Sequence, residues 1–189
     1  LLSRFAKKFP DVRVEVRESV DDQDLLPLVA AGQLDFAFTA MPLAAGPFEA
    51  VEVLRDSWLL LTQVDSPLAN LKTPLSVKSL KNTPFIGFGT TGIIQNRLEE
   101  YLRGHGMDPN IIFRTNDNVA VTELVATGFA SALMPSLTIG QLDKRVIKVP
   151  VDIPSRSIAL AWNSKRTRLP AAQSFIEHVQ AVCDTIGKS

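Results

Sequence analysis

Apolar residues along this chain switch repeatedly between the three-to-four spacing of a helix and the alternation or unbroken runs of a strand. Leu1, Leu2, Phe5 and Phe9 share one helical face, Arg4, Lys7 and Lys8 the opposite one, and Pro10 stops the helix. Val12, Val14 and Val16 then alternate with Arg13, Glu15 and Arg17, which predicts a strand with one covered face. Asp21 or Asp22 is placed to cap the next helix, whose Leu25, Leu26, Leu28 and Val29 lead to Gly32, and a strand over 34–39 follows. Beyond the Gly46-Pro47 turn, residues 51–54 and 58–62 read as strands, the second an unbroken apolar run that predicts burial on both faces. Residues 65–74 are a loop, and Ser76 caps a short helix that reaches Leu80. Phe85-Ile86 begins a strand, after which Ile94, Leu98, Tyr101 and Leu102 line a helix closing at Gly104-His105-Gly106. Strands over 146–149 and 157–162 precede a last helix with Phe175, Ile176, Val179, Val182, Cys183 and Ile186 on one face. Helices alternating with short apolar strands predict an α/β fold with mostly parallel sheets covered on both sides.

One pattern occurs twice. Leu28-Val29-Ala30-Ala31-Gly32 and Leu124-Val125-Ala126-Thr127-Gly128 agree at four of five positions. In each, an apolar helical turn runs into the residue that most easily ends a helix in the left-handed conformation, and an apolar strand follows. The echo extends backwards to the strand-like runs Val12 to Arg17 and Ile111 to Arg114, each followed by an Asx-rich turn. The chain therefore reads as two copies of a helix–strand–helix–strand unit, and 189 residues suffice for two lobes of about 100 residues each.

Composition removes several function classes. With 46% apolar and 21% charged residues the chain is far from disorder, and 20 basic against 20 acidic residues leave no basic stripe for a phosphate backbone. By itself this segment is expected to bind DNA poorly. A single cysteine, Cys183, precludes an internal disulfide framework and fits a cytoplasmic setting, and its apolar helix face marks it as core. No run approaches a membrane span, so no membrane partner is expected. The opening at Leu1, without Met and in mid-helix, suggests a fragment.

Chemistry in such sheets belongs outside the carboxyl ends of strands. The turns there are Glu18-Ser19-Val20, Thr39-Ala40-Met41, Phe88-Gly89-Thr90-Thr91 and Thr115-Asn116, with Met134-Pro135 closing the second repeat. Facing lobes would enclose a small ligand between them, oriented by hydroxyls and backbone amides, with Phe88 and Met134 as apolar contacts. Taken singly, each Ser, Thr or Asn is more simply a helix cap, and it is their convergence that points to a ligand. Gly87-Phe88-Gly89-Thr90-Thr91-Gly92 matches the dinucleotide fingerprint, but Pro84 leaves only a two-residue apolar approach to it. Two isolated histidines, His105 and His178, with one cysteine form neither a metal site nor a catalytic arrangement, and Glu99-Glu100 reads as a solvated helix face. Arg55 is the cation placed where the chain would leave the first lobe, with a surface ion pair as its ordinary fate.

Phe9-Pro10-Asp11-Val12, Leu28 to Asp35, Leu54-Arg55-Asp56, Asp65-Ser66-Pro67-Leu68-Ala69 and Leu124 to Gly128 through Leu133-Met134-Pro135, in this order and spacing, resemble the effector-binding domain of LysR-type transcriptional regulators. The resemblance implies two Rossmann-like lobes joined by crossover strands, a type II periplasmic-binding-protein-like fold, with lobe I at 1–56 plus 155–189 and lobe II at 57–154. It also implies an N-terminal winged helix-turn-helix outside this chain, through which alone DNA would be bound, and a first strand of the domain lying before Leu1. A small-molecule effector would contact Ser19, Thr39, Ala40, Met41, Phe88, Gly89, Thr90, Thr91, Asn116 and Met134. Met41 and its neighbours are neutral where carboxylate-binding relatives carry an Arg. Homodimers or homotetramers would form by residues 1–17 of one chain against 93–114 of its mate. No cofactor, metal or enzymatic activity is implied. The alternatives are a transporter's solute-binding protein, which shares the fold, and a nucleotide-dependent enzyme using Gly87 to Gly92.

Overall fold

A computed structural model describes residues 1–19, 22–89 and 93–186. The chain divides into two compact units, Leu1–Arg55 with Arg156–Ser189, and Asp56–Ser155. It passes from the first to the second along strand β2 (Phe48–Asp56) and returns ahead of β8 (Arg156–Asn163).

In the first unit the strands lie in the order β1 (Ala37–Ala40), β8, β2. β1 runs antiparallel to β8, from Ala37 opposite Ala161 to Ala40 opposite Ile158. Alternation along β8 assigns its two faces. Ile158, Leu160 and Trp162 join Phe5 of α1 (Leu2–Lys8) and Phe175, Ile176, Val179 and Cys183 of α5 (Pro170–Ile186), whereas Ala161 joins Leu26 and Val29 of α2 (Leu26–Ala31). Phe5 anchors the larger cluster, 1% exposed, its ring edge-on to Phe175 at 5.0 Å.

The second unit holds a five-stranded sheet in the order β5 (Asn110–Arg114), β4 (Pro84–Gly87), β6 (Ser131–Pro135), β3 (Trp58–Gln63), β7 (Val146–Pro150). β4 is parallel to β5 and β6, while β3 is antiparallel to both of its neighbours. Leu98 and Leu102 of α3 (Ile93–Gly104) pack on one face with Leu60, Phe85 and Leu133, and Val121 and Val125 of α4 (Asn118–Ala126) on the other with Leu61, Ile86 and Met134. This double cover accounts for the unbroken apolar run at Trp58 to Leu61.

The glycine-capped repeat is realised in matching detail. Gly32 and Gly128 have φ of 72° and 77°. Gly32 N donates to Val29 O and Gln33 N to Leu28 O, and Gly128 N donates to Val125 O and Phe129 N to Leu124 O. The pattern closes both helices in the same way, with Val29 and Val125 fully buried one turn earlier. The sheets echo the repeat as well, because β1, β8, β2 correspond in order to β6, β3, β7.

Two expectations about strands are corrected. The sheets are mixed, because the crossover strands β3 and β8 run against their partners. Residues 12–19 are not a strand, and Val14 and Val16 are 41% and 67% exposed. The corresponding run Asn110–Arg114 is a strand because β4 supplies its ladder hydrogen bonds. Among the described residues the first unit has no counterpart of β4, and alternation without a partner leaves backbone groups to water.

Candidate functional site

In the second unit the connections from β4 and β6 leave in opposite directions, since β4 is followed in the chain by β5 on one side of it and β6 by β7 beyond β3 on the other. That reversal defines a switch point at the carboxyl ends of β4 and β6, which carry Gly87-Phe88-Gly89 and Met134-Pro135.

Side chains from the end of β5 hold the Phe88-Gly89 segment. Gly89 N donates to Asn116 Oδ1 at 2.8 Å, and Arg114 Nη1 donates to Phe88 O at 2.9 Å. Space here is tight. A Cβ on Gly89 would lie 2.8 Å from Asn116 Oδ1, and one on Gly87 would lie 3.1 Å from both Arg114 Nη1 and Ile111 Cγ2. The first two glycines of the fingerprint, Gly87 and Gly89, are thus accounted for by close approach of protein side chains, and the third, Gly92, lies outside the described residues. Asn116 serves here by fixing the loop backbone, and Asp117, the next residue, caps α4 by accepting from Val119 N and Ala120 N. Phe88 packs partly buried against the α4-side cluster, and Met134 is fully buried within it.

Arg114 reaches Phe88 because of an irregularity in β5. The register jumps so that Phe85 faces Ile111 while Ile86 faces Phe113. The skipped residue reverses the alternation that follows it, so Ile111 packs in the α3-side cluster and Arg114, three residues on, meets α3 as well. There its Nη1 lies 2.8 Å from Glu99 Oε1. Glu99 is 5% exposed, which corrects its reading as solvated, and it also accepts from Gln95 Nε2 at 2.8 Å and Arg103 Nη2 at 2.8 Å. Burial among Leu98, Leu102 and Ile111 opposes its charge, but the hydrogen bonds from Arg114, Gln95 and Arg103 outweigh burial and hold its carboxyl below the usual range.

The end of β6 is locked by the crossover. Asp56, fully buried at the close of β2, accepts from Ser136 Oγ at 2.7 Å and Leu137 N at 3.0 Å, while Ser136 N donates to Ser57 O. Neither Asp56 nor Glu99 was separable from an ordinary surface acid by local sequence. The Leu54-Arg55-Asp56 motif was visible, but not the buried partner of its last residue. Arg55 itself makes the surface pair, its Nε 2.9 Å from Glu52 Oε1, and Glu52 also accepts from Ser157 Oγ.

In the first unit three of the predicted residues, Thr39, Ala40 and Met41, follow one another at the end of β1. Thr39 is 1% exposed, and its Oγ1 is buried with no hydrogen-bond partner. It shares a strand face with Ala37, the face α2 covers. Ala40 is buried and Met41 half-exposed, its N–H donating to Ser157 O. Ser19 is exposed and donates to Asp24 Oδ2 at 3.1 Å. Thr90 and Thr91 lie outside the described residues.

His105 stacks on Tyr101 at 4.0 Å with Nδ1 against Tyr101 O, and His178 lies beside Phe5. Among the described residues no cluster of His, Cys, Asp and Glu could hold a metal, and no helix is long and apolar enough to cross a membrane.

Two α/β units, glycine-capped helices repeated between them and mixed sheets with reversed crossover strands define a type II periplasmic-binding-protein-like fold. The chain belongs to the LysR substrate binding domain family, whose model matches residues 1–184. It is 26% identical over 188 residues to the HTH-type transcriptional regulator YwbI of Bacillus subtilis (strain 168), covering 96% of this chain and 60% of that protein. The chain spans about 60% of the length of the curated relatives it matches first. Among solved structures, the regulatory domain of Synechocystis PCC6803 CcmR in complex with 2-PG superposes with a TM-score of 0.85 at 16% identity, covering 96% of this chain and 88% of that one. The effector binding domain of BenM with benzoate gives a TM-score of 0.85 at 15% identity, covering all of this chain (100%) and 86% of that one. At those identities the likeness establishes the fold.

Proposed function

We propose that this chain is the effector-sensing domain of a LysR-type transcriptional regulator, in which a small molecule contacts the end of β1 at Thr39, Ala40 and Met41 and the Phe88-Gly89 segment after β4. Ser19, Thr90, Thr91, Asn116 and Met134 complete the proposed set of contacts or their supports. The observation that carries the reading is the Thr39 hydroxyl, a buried donor left without a partner at a residue the sequence nominates as an effector contact. An orphan of this kind costs roughly 1–3 kcal/mol, which a ligand oxygen at that position would recover. The CcmR regulatory domain and the BenM effector binding domain, which share the fold, have structures in complex with 2-PG and with benzoate.

Effector binding acts on transcription only as far as the ligand prefers one conformation over another. DNA contact would belong to a helix-turn-helix outside this chain, the protein would be cytoplasmic, and the domain would bind without catalysing. Pairing of two chains would use residues 1–17 against 93–114. Exposed Val14 and Val16 in the first segment and exposed Ile112 and Phe113 in the second support that assignment.

A thermal-shift screen of small metabolites tests the reading. A sensor shows a concentration-dependent rise in Tm with at least one compound, and Thr39→Val abolishes that rise. A rise of the same size in Thr39→Val, or none with any compound, overturns it.

A further inference from the structure

Glu99 is a buried acid that the effector reading does not use, and its partners form a continuous path. From α3, Glu99 Oε1 reaches Arg114 Nη1 at 2.8 Å, and the same nitrogen donates to Phe88 O at 2.9 Å. One guanidinium nitrogen therefore touches both a buried carboxylate and the backbone of the loop after β4. Gln95, one turn earlier on α3, donates to the same Glu99 oxygen, and its amide would sit 3.3 Å from a Cβ on Gly87. On its other side Glu99 takes Arg103, whose Nε bonds Asp108 at 3.1 Å. A salt bridge that only tied α3 to β5 would not require the Phe88 carbonyl. An arginine that only capped the carbonyl would not require a carboxylate withdrawn from water at the cost burial imposes.

We propose that Arg114, oriented by Glu99, is a positioning residue that fixes the Phe88-Gly89 backbone as a ligand-contacting segment and ties it to helix α3. The inference rests on the assignment of that segment to the effector site. Arg114 is suited to this because its planar guanidinium can donate to two acceptors at once from a fixed geometry, whereas a lysine ammonium on a flexible stem holds both less well. Asn116 grips the same segment through Gly89 N, so the single Phe88-Gly89 peptide group is clamped at both its carbonyl and its N–H, by Arg114 at the end of β5 and by Asn116 two residues further on. Movement of the loop would be passed to α3 through Arg114, and a constraint on α3 would be passed back.

The experiment is amide hydrogen exchange and Phe88 carbonyl ¹³C shift, read by NMR on the ligand-free protein and on Arg114→Met, Arg114→Lys and Glu99→Gln. Positioning predicts that in Arg114→Met the Gly89 amide exchanges about tenfold faster, which corresponds to ~1.4 kcal/mol of lost local protection. The Phe88 carbonyl resonance moves, and the β3 amides of Leu60 and Leu61 keep their rates. Arg114→Lys restores part of the protection, and Glu99→Gln shifts the Phe88 resonance although residue 99 does not touch that carbonyl. If Gly89 and Phe88 are unchanged while α3 loses protection, the pair is only a helix strut and the proposal fails. Uniformly faster exchange across β3 and the loop overturns it too, because the effect would then be global stability. The readout needs no effector, so a protein in which no metabolite raises Tm refutes the effector assignment while leaving the positioning result to stand or fall separately.

Discussion

Asp56 accepts a hydrogen bond from Ser136 at 2.7 Å across 80 residues of sequence, joining the last residue of β2 to the turn that ends β6. Its carboxylate is fully buried and takes a second donor, Leu137 N. Removing the acid would leave a hydroxyl and an amide without their acceptor inside the second unit. Asp56→Ala is expected to lower stability by about 2–4 kcal/mol, measured by urea unfolding, with Asp56→Asn costing less because one acceptor oxygen is kept. A loss of a few tenths for Asp56→Ala would show that the bond is not holding the end of β6.

The equivalent glycines Gly32 and Gly128 differ in what surrounds them. Both would force a side chain into the left-handed region at a cost of about 1–2 kcal/mol. A Cβ on Gly128 would lie 2.6 Å from Gln63 Oε1, and Gln63 is committed to Ala126 O at 3.1 Å. At Gly32 the obstacle is the guanidinium of an exposed residue, Arg166, which can swing away. Thermal unfolding should therefore show Gly128→Ala as more destabilising than Gly32→Ala, and the reverse order would contradict the role given to Gln63.

Acid should weaken the protein partly through Glu99. Its folded pKa lies below the ordinary value of 4.5, so the folded state binds its proton less readily than the unfolded chain does. Stability from this group is full above about pH 5 and is lost as pH falls through 4.5 and on through the lower folded value. Glu99→Gln removes that component, so its denaturation midpoint should fall less steeply below pH 5 than that of the parent, while lying lower near pH 7. Parallel acid profiles for the two proteins would argue against the Arg114 and Arg103 pairings.

Thr39→Val replaces an unpartnered hydroxyl with a methyl group of nearly the same shape. Without ligand, Tm should stay level or rise by a few degrees, the sign expected when a buried orphan is removed. A fall of several degrees would mean that the hydroxyl already has a partner and is not waiting for one.

Local patterning made much of the architecture legible. The helix–glycine–strand repeat at Leu28 and Leu124, the doubly covered β3, the apolar face of α5 and the capping by Ser76 follow from short-range rules, and each is present. Alternation misled at Val12, Val14 and Val16, because it reports which residues could face a core but not whether another strand supplies hydrogen bonds. Glu99 misled for the matching reason, since an acid on an amphipathic helix looks solvated until its partner is seen.

Residue order alone determined the periods, the caps and the duplicated half, since these depend on dihedral preference and side-chain spacing within about a dozen residues. Only the tertiary structure decided which way the crossover strands run, where β5 skips a residue, and hence that Arg114 meets both Glu99 and Phe88 while Asp56 meets Ser136. Those relations join groups far apart in sequence, and a one-residue shift in strand register turns a side chain to the other face of its sheet. No local pattern carries that information.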